Sequence, residues 1–190
     1  AITTVVTYPS IPGNYYPEVN WFPDASGFKT IIPPQNESGQ AEMLFVFPDG
    51  TTASLAKFQM LPPSKSSPFI SPDGGYVIYA AKLEDGNESL YLMDSSGATK
   101  PYGEPAESIR AYGWLPDSKQ FVYGEGNTQR AYLGNIGGSP VEIKATFPSA
   151  IRWVDSEHYL ALDDGDLIFG NLNASKLTID SDVQAFDFTP

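Results

Sequence analysis

The sequence contains no cysteine, so it offers neither a disulfide framework nor a zinc-thiolate site. Cations are scarce as well: 11 Lys and Arg residues stand against 23 Asp and Glu residues, for a formal net charge of -12. This charge repels phosphate backbones and anionic lipid surfaces, which excludes nucleic acid as an expected partner. No apolar run approaches the roughly 18 to 20 residues that a membrane span requires.

Long helical patterns are missing too, since no segment with apolar residues at helical spacing exceeds about ten residues. The chain is instead rich in turn-forming and aromatic residues, with 17 Gly, 17 Pro and 13% aromatic residues among its 190. Short apolar stretches alternate with polar turns, a pattern that is typical of β-strands. With 41% apolar residues the chain can build a core, and we predict a fold of the all-β class.

One short pattern recurs along the chain: a large apolar residue followed, two residues later, by a Pro-Asp turn. Its copies are Trp21-Phe22-Pro23-Asp24, Ile70-Ser71-Pro72-Asp73, Trp114-Leu115-Pro116-Asp117, Trp153-Val154-Asp155 without the proline, and Phe188-Thr189-Pro190 at the end. We call the first residue of each copy a column residue. Column residues are spaced 35 to 49 residues apart, which is about one β-propeller blade per step.

Each copy is followed by further strands, so that one unit contains four short antiparallel strands. We therefore predict a β-propeller with about four four-stranded antiparallel blades and a begun fifth. The blades are expected at about 18–62, 67–106, 109–147 and 149–181, with a partial blade at 182–190 and an N-terminal strand at 1–9. An isolated blade leaves both faces open, so each column residue is expected to be buried against a neighbouring blade.

Four blades and two loose strands do not obviously close a ring. We therefore expect either an excerpt of a larger propeller or an incomplete ring that self-association or a second chain completes.

The second unit has the clearest motif, with Phe69-Ile70-Ser71-Pro72-Asp73-Gly74 followed by Val77-Ile78-Tyr79-Ala80 and Leu90-Tyr91-Leu92-Met93-Asp94. These residues resemble the TolB-like propeller repeats of the PD (WD-like) type. Propellers with such repeats occur in envelope proteins, peptidase accessory domains and polysaccharide lyases. The resemblance therefore implies a propeller and an extracytoplasmic location, periplasmic or cell-surface. Residues Ala1–Tyr8 lack the features of a signal peptide, so no leader is expected within this chain.

The function that we expect is a non-catalytic binding or scaffold module, which recognises a protein or peptide partner through propeller loops and uses no cofactor or metal. A glycan partner stays open, because Tyr15, Tyr16, Trp21 and Tyr112 are of the kind that stack on sugar rings, although Trp21 is assigned to the column. The alternative is the propeller portion of an enzyme. That enzyme would be a prolyl-oligopeptidase-like peptidase with an accessory propeller, or a carbohydrate-active lyase or glycosidase.

Propeller ligands usually contact the central opening, where residues that precede each inner strand converge. The matching positions are Glu18, Asn20, Arg110, Arg152 and Gln184. Two arginines among 11 basic residues indicate an acidic ligand or partner. Salt bridges to neighbouring loops are the alternative interpretation of these rim residues.

Three other features are interpreted as structural. The pattern's aspartates, Asp24, Asp73, Asp117 and Asp155, suit tight turns because an Asp side chain accepts a backbone N–H two residues on. The acidic segments 84–87 and 163–166 contain Asp-Gly between strands, which predicts hairpin turns rather than calcium loops. His158 occupies a turn where the preceding blade has Lys119 and Gln120, so we expect it to be exposed and not catalytic.

The predicted burial of the column residues has a consequence for the stability of the fold. Trp114→Ala should destabilise the fold by about 3 to 5 kcal/mol, because it empties a contact between blades. Urea unfolding of the variant beside the wild type measures the difference. A loss below about 1 kcal/mol would contradict the assignment of Trp114 to the column.

Overall fold

The computed structural model describes residues 19–22, 24–34, 39–126, 130–145, 147 and 151–186. The regular structure of these residues is β-strand, arranged as four sheets of four strands in which neighbours pair antiparallel. Each sheet is made of four strands that are consecutive in the sequence. The predicted all-β class with four four-stranded units is confirmed.

We number the sheets as blades 1 to 4 in chain order. Blade 1 contains β1 (Asn20–Trp21), β2 (Phe28–Ile32), β3 (Gln40–Val46) and β4 (Thr52–Gln59). Blade 2 contains β5 (Phe69–Ile70), β6 (Tyr76–Lys82), β7 (Glu88–Asp94) and β8 (Thr99–Ala106). Blade 3 contains β9 (Ile109–Trp114), β10 (Gln120–Glu125), β11 (Arg130–Asn135) and β12 (Val141–Ile143). Blade 4 contains β13 (Arg152–Trp153), β14 (His158–Asp163), β15 (Asp166–Asn171) and β16 (Lys176–Asp180).

The first strand of each blade forms one edge of its sheet, and we call β1, β5, β9 and β13 the inner strands. Each inner strand ends in the column residue and leads directly into the recurring turn. The turn returns the chain into the second strand, with Trp114 opposite Phe121 in blade 3 and Trp153 opposite Tyr159 in blade 4. The repeated sequence pattern therefore marks one repeated place in the fold.

Three column residues are buried against the blade that precedes their own. Ile70 is 6% exposed and belongs to a cluster with Ile31 and Met43 of blade 1. Trp114 is 6% exposed and clusters with residues of blade 2 that include Ile78. Trp153 is 8% exposed and clusters with Val122 and other residues of blade 3. The core is thus a series of interfaces between consecutive blades, as the repeat predicted.

Trp21 does not follow this rule, and the prediction that it is buried is wrong. Its side chain is 60% exposed and contacts the ring of Phe28 at a centroid distance of 4.9 Å. A column residue packs on the preceding blade, and among the described residues no sheet precedes blade 1. The fifth column residue, Phe188, lies outside the described residues.

Buried polar side chains add hydrogen bonds between blades 2 and 3. Glu88 of β7 is 6% exposed, and its Oε2 accepts the backbone N–H of Ile109 at 2.7 Å. Ser66, in the segment that connects blade 1 to blade 2, accepts the N–H of Ala111 at 3.1 Å. These acceptors satisfy N–H groups of an edge strand that would otherwise be buried without partners.

Three predictions about the two ends of the series of blades are not tested by the described residues. Residues 183–186 follow β16 without strand structure, and Val183 donates its N–H to the carbonyl of Gly165 at 2.8 Å. The rest of the expected partial blade, 187–190, and the expected N-terminal strand, 1–9, lie outside the described residues. The blade limits, the fifth blade and the completion of a ring stay predictions.

The exposure of Trp21 generates a stability test that is matched to the one on Trp114. Trp21→Ala should cost less than about 1 kcal/mol, because a mostly exposed side chain loses little buried area. Urea unfolding of both alanine variants under one set of conditions measures the comparison. Equal losses would mean that Trp21 is buried in an interface like that of Trp114.

Candidate functional site

A groove lies along the inner strands of blades 2, 3 and 4 and has a volume of about 310 Å³. Its lining combines residues of three inner strands with the prolines of two recurring turns. The lining residues are Phe69, Ile70, Pro72, Gly113, Trp114, Pro116, Ile151, Arg152 and Trp153. We call it the inner-strand groove. All but one of these residues are apolar or glycine, and the exception is Arg152.

The two tryptophans of the groove differ in their hydrogen bonds. Nε1 of Trp114 donates to the carbonyl of Phe69 in the preceding inner strand, at 2.9 Å. Nε1 of Trp153 is buried and finds no acceptor among the described residues, although Trp153 occupies the same place in blade 4. An indole N–H that is buried without a partner costs about 1 to 3 kcal/mol.

The backbone that precedes the column residue also differs between the two junctions. The acceptor that corresponds to Phe69 would be Gly113, since each precedes a column residue in its inner strand. Gly113 has a φ of 141°, and the pairing of β9 with β10 shifts register opposite it, between Val122 and Tyr123. A bulge changes the direction of the backbone in its strand. The bond that Trp114 makes to the preceding inner strand has no counterpart at Trp153 among the described residues.

Gly113 also leaves the groove open between two strands. A methyl group at this position would lie 3.9 Å from the ring of Phe69 and 4.0 Å from the carbonyl of Ile151, which are ordinary contacts. The positive φ, rather than lack of space, explains why glycine suits the position.

A second buried donor without an acceptor belongs to blade 4 but not to the groove. The hydroxyl of Tyr159 has no partner in the described part of the chain, and a Cβ at Gly170 would lie 2.6 Å from it. Gly170 is in β15, so this hydroxyl points into the sheet and away from the inner edge. Burial raises the pKa of Tyr159 above its usual value, and the charge of Asp163 adds to the shift.

Arg152 is exposed, and its guanidinium makes no hydrogen bond or ion pair with another described residue. Its Cα is paired with that of Leu160, while Trp153 is paired with Tyr159. Neighbouring residues of a strand point to opposite faces, so Trp153 faces blade 3 and Arg152 faces away from it. The groove thus ends at a free positive charge.

The other predicted site residues lie apart from Arg152. Asn20 donates its Nδ2 to the carbonyls of Ser71 and Pro72 in the next blade, at 3.2 and 3.3 Å. Arg110 lies three residues before Gly113 in β9, roughly 10 Å along the strand. Its Nε donates to the carbonyl of Lys65 at 3.1 Å. Both side chains thus bond backbone carbonyls of neighbouring segments, and neither forms a salt bridge with another described residue.

Gln184 is exposed and belongs to the segment that follows β16. Glu18 lies outside the described residues, as do Tyr15 and Tyr16. Of the five predicted site residues, only Arg152 lines the groove. Two other features of the groove, the bulge at Gly113 and the Trp153 N–H without an acceptor among the described residues, were not predicted from the sequence. The sequence did contain a signal for the bulge. Gly113 precedes the column residue of blade 3, where the other blades have Asn20, Phe69 and Arg152.

The four pattern aspartates close turns, as predicted. Each accepts the backbone N–H two residues on at 2.7 to 3.0 Å, and their donors are Ser26, Gly75, Lys119 and Glu157. In segment 84–87 Asp85 accepts the N–H of Asn87 at 2.9 Å, and both acidic segments connect paired strands. No group of acidic and histidine side chains in the described part of the chain has the arrangement of a metal site.

His158 is the first residue of β14, and its side chain is 35% exposed. Its Nδ1 lies 2.9 Å from Oδ2 of Asp155, and its ring stacks on Phe169 at a centroid distance of 5.2 Å. The N–H of Glu157 and the His158 ring hold the pKa of Asp155 below its usual range. His158 therefore supports the turn, although it lies at a strand start rather than within the turn itself.

Solved structures of similar fold include TolB from Acinetobacter baumannii, with a TM-score of 0.60 and 20% identity over 86% of this chain. A putative TolB from Agrobacterium tumefaciens gives a TM-score of 0.59 and 19% identity over 87% of the chain. The chain has the fold of a TolB-like β-propeller. It spans 43% and 61% of the lengths of these two structures.

A further fold neighbour of this TolB-like propeller is a periplasmic gluconolactonase of Pseudomonas aeruginosa, with a TM-score of 0.53 and 14% identity over 90% of the chain and 58% of that structure. In sequence, an uncharacterised protein of Agrobacterium fabrum is 37% identical over 54 residues, which cover 28% of this chain and 18% of that protein. No protein-family model matches the chain. Among the described residues there is no helix long and apolar enough to cross a membrane.

The turn aspartates generate a test of pH dependence. Asp94, the last residue of β7, accepts a hydrogen bond from the Ser96 hydroxyl at 2.5 Å and one from the Ser96 N–H at 2.9 Å. These bonds, the one from the hydroxyl first, lower the pKa of Asp94. A lowered folded-state pKa means that the stabilisation is present above about pH 4 and is lost as the pH falls through the folded value. Ser96→Ala should therefore raise the pKa of Asp94 towards its ordinary value and flatten the loss of stability in acid.

A carboxyl NMR titration measures this pKa, and urea unfolding from pH 7 down to pH 2 measures the stability. The matched control is Ser95→Ala, which changes a neighbouring exposed serine of the same turn. An equal rise of the Asp94 pKa in both variants would show that the Ser96 hydroxyl is not responsible.

Proposed function

We propose that this chain is a non-catalytic binding module that recognises a protein or peptide partner through the inner-strand groove. The observation that carries the proposal is the make-up of the groove: three edge strands, apolar side chains and one guanidinium without a partner. Edge strands offer N–H and C=O groups to an extended peptide, and the apolar surface beside them selects side chains. Ligand sites in general combine a mainly apolar lining with few polar groups.

The single charge favours a partner with an acidic group. Some exposed cations have a carboxylate partner within the chain: Arg130 lies 2.6 Å from Glu142, and Lys57 lies 3.6 Å from Glu42. Arg152 has none among the described residues and lines the groove, and a guanidinium suits a carboxylate in both geometry and charge.

We further propose an extracytoplasmic location, periplasmic or cell-surface. Two observations support it: the recurring motif resembles TolB-like repeats of envelope proteins, and one neighbour in fold is named as a periplasmic enzyme.

Reversing the charge of the groove tests the binding proposal. Arg152→Glu should lose a stoichiometric partner that the wild-type chain captures from an envelope extract of its source organism. Lys144→Glu makes the same charge change at an exposed residue after the outer strand β12, and should retain that partner. Retention by both variants, or loss by both, would contradict binding through the groove.

The enzyme alternative has its own test. If the blades belong to an enzyme with a central site, the chain should turn over substrates from a polysaccharide panel. Turnover that substitution of carboxylates near the inner strands abolishes would overturn the proposal of a non-catalytic module.

A further inference from the structure

The outer edge of blade 4 is an exposed strand that pairs on one side. We call β4, β8, β12 and β16 the outer strands, since each lies at the edge of its sheet opposite the inner strand. All five residues of β16 are exposed, and the side chains include Leu177 at 64% and Ile179 at 54%. An exposed edge strand offers N–H and C=O groups to another strand. Among the described residues β16 pairs with β15 alone, so its second side is open to such a partner.

The other three outer strands are less suited to pairing. β8 contains Pro101 and Pro105, and proline has no N–H to donate across an edge. β12 has three residues, Val141–Ile143. β4 has one charged residue, Lys57, so a second β4 would bring no carboxylate to pair with it. β16 has no proline and carries a charge of each sign.

The pairing of β16 with β15 leaves one apolar residue without a cross-strand neighbour. Thr178 pairs with Ile168 and Asp180 pairs with Leu167, so the register shifts and Ile179 has no partner residue in β15. Its side chain and that of Leu177 are the largest apolar groups of β16. Apolar residues that a second strand places opposite them would cover both.

The sequence of β16, Lys176-Leu177-Thr178-Ile179-Asp180, is complementary to itself. In an antiparallel pair of two such strands centred on Thr178, Lys176 lies opposite Asp180 of the second copy, and Leu177 lies opposite Ile179. Opposite charges and apolar residues that face each other across strands stabilise an antiparallel pair, whereas like charges destabilise it. A parallel pair in register would place Lys176 opposite Lys176. The strand therefore favours an antiparallel copy of itself.

Both charged groups are available for this pairing. The Nζ atom of Lys176 lies 3.8 Å from Oδ2 of Asp163 in an exposed ion pair, and pairs of this kind hold a side chain weakly. Oδ1 of Asp180 accepts the N–H of Ser181 at 2.9 Å. A carboxylate has lone pairs on two oxygens, so Asp180 can accept a lysine as well.

We propose that two copies of this chain associate through β16, in an antiparallel pair centred on Thr178 that joins the two blade 4 sheets. The contact is two-fold symmetric, with the same five residues on both sides. It lies at the outer edge of the sheet, so it leaves the inner strands free and completes no ring. A single strand pair buries less area than the roughly 1,200 to 2,000 Å² of stable interfaces, so the dimer should form at about 0.1 to 1 mM chain.

The lack of cysteine makes the register testable by cross-linking. Thr178→Cys introduces one thiol, which the proposed pair places opposite its own copy, with Cα atoms about 4.5 to 5.5 Å apart and thus within reach of a disulfide. Mild oxidation at about 0.5 mM chain should convert most of this variant into a covalent dimer, as seen on a non-reducing gel.

The matched control is Ser175→Cys, at the exposed residue just before β16. In the proposed pair its two thiols lie six residues apart along the strands, roughly 20 Å, so this variant should stay monomeric under the same oxidation. Equal conversion of the two variants, or conversion of Ser175→Cys alone, would overturn the proposed register.

Reversal of charge tests the association without a cross-link. Sedimentation of the wild-type chain from about 0.02 to 1 mM should show an average mass that rises with concentration. Lys176→Glu and Asp180→Lys each place like charges opposite each other, so each should weaken the dimer about tenfold. Asp180→Lys reduces the net negative charge of the chain, so a weaker dimer in this variant cannot come from general repulsion.

The double variant Lys176→Glu/Asp180→Lys places opposite charges across the pair again and should recover the wild-type association within about twofold. Lys100→Glu makes the same charge change on an exposed residue of outer strand β8 and should leave the association unchanged. A wild-type chain that stays monomeric at 1 mM, or a double variant as weak as the single variants, would contradict the proposal. Partner capture by the groove tests the other edge of the sheet, so neither result decides the other.

Discussion

Burial of one inner-strand residue against the preceding sheet is the contact on which the rest of this structure depends. A four-stranded sheet has two faces, and a blade gains a core only when a neighbour covers them. Ile70, Trp114 and Trp153 each make this contact, and each is less than a tenth exposed. Where no described sheet precedes, the same pattern leaves the indole of Trp21 in solvent. Burial of a column residue therefore depends on two consecutive blades and not on one blade alone.

The groove follows from the same arrangement. Because the column residues hold each inner strand against the preceding blade, the inner strands of blades 2, 3 and 4 lie side by side and their ends line one surface. The equivalent tryptophans of this surface are not bonded alike: Trp114 donates to the carbonyl of Phe69, whereas the Trp153 N–H has no acceptor among the described residues. The backbone between them carries the bulge at Gly113. Consecutive inner strands are therefore similar in place but not identical in detail.

The fold alone does not identify the function of this chain. Two proteins of similar fold carry names as different as TolB and gluconolactonase, and a likeness at 14 to 20% identity describes the scaffold. What distinguishes this chain is local: the guanidinium of Arg152 lines an apolar groove and has no carboxylate partner among the described residues. The proposed function is built on that groove and its charge.

The sequence by itself determined the strands, their grouping in fours and the turns, because these depend on residues close together in the chain. Period-two apolar stretches, Pro-Asp turns and Asp-Gly hairpins are local signals, and the turn aspartates bond as expected. Only the tertiary structure decided which column residues are buried and which candidate residues share a site. Trp21 and Trp114 look alike in sequence but differ in neighbours, and Arg110 and Arg152 look alike but lie at different levels of the inner strands. Burial and pairing depend on a neighbouring blade about 45 residues away along the chain, and no local pattern records whether that neighbour is present.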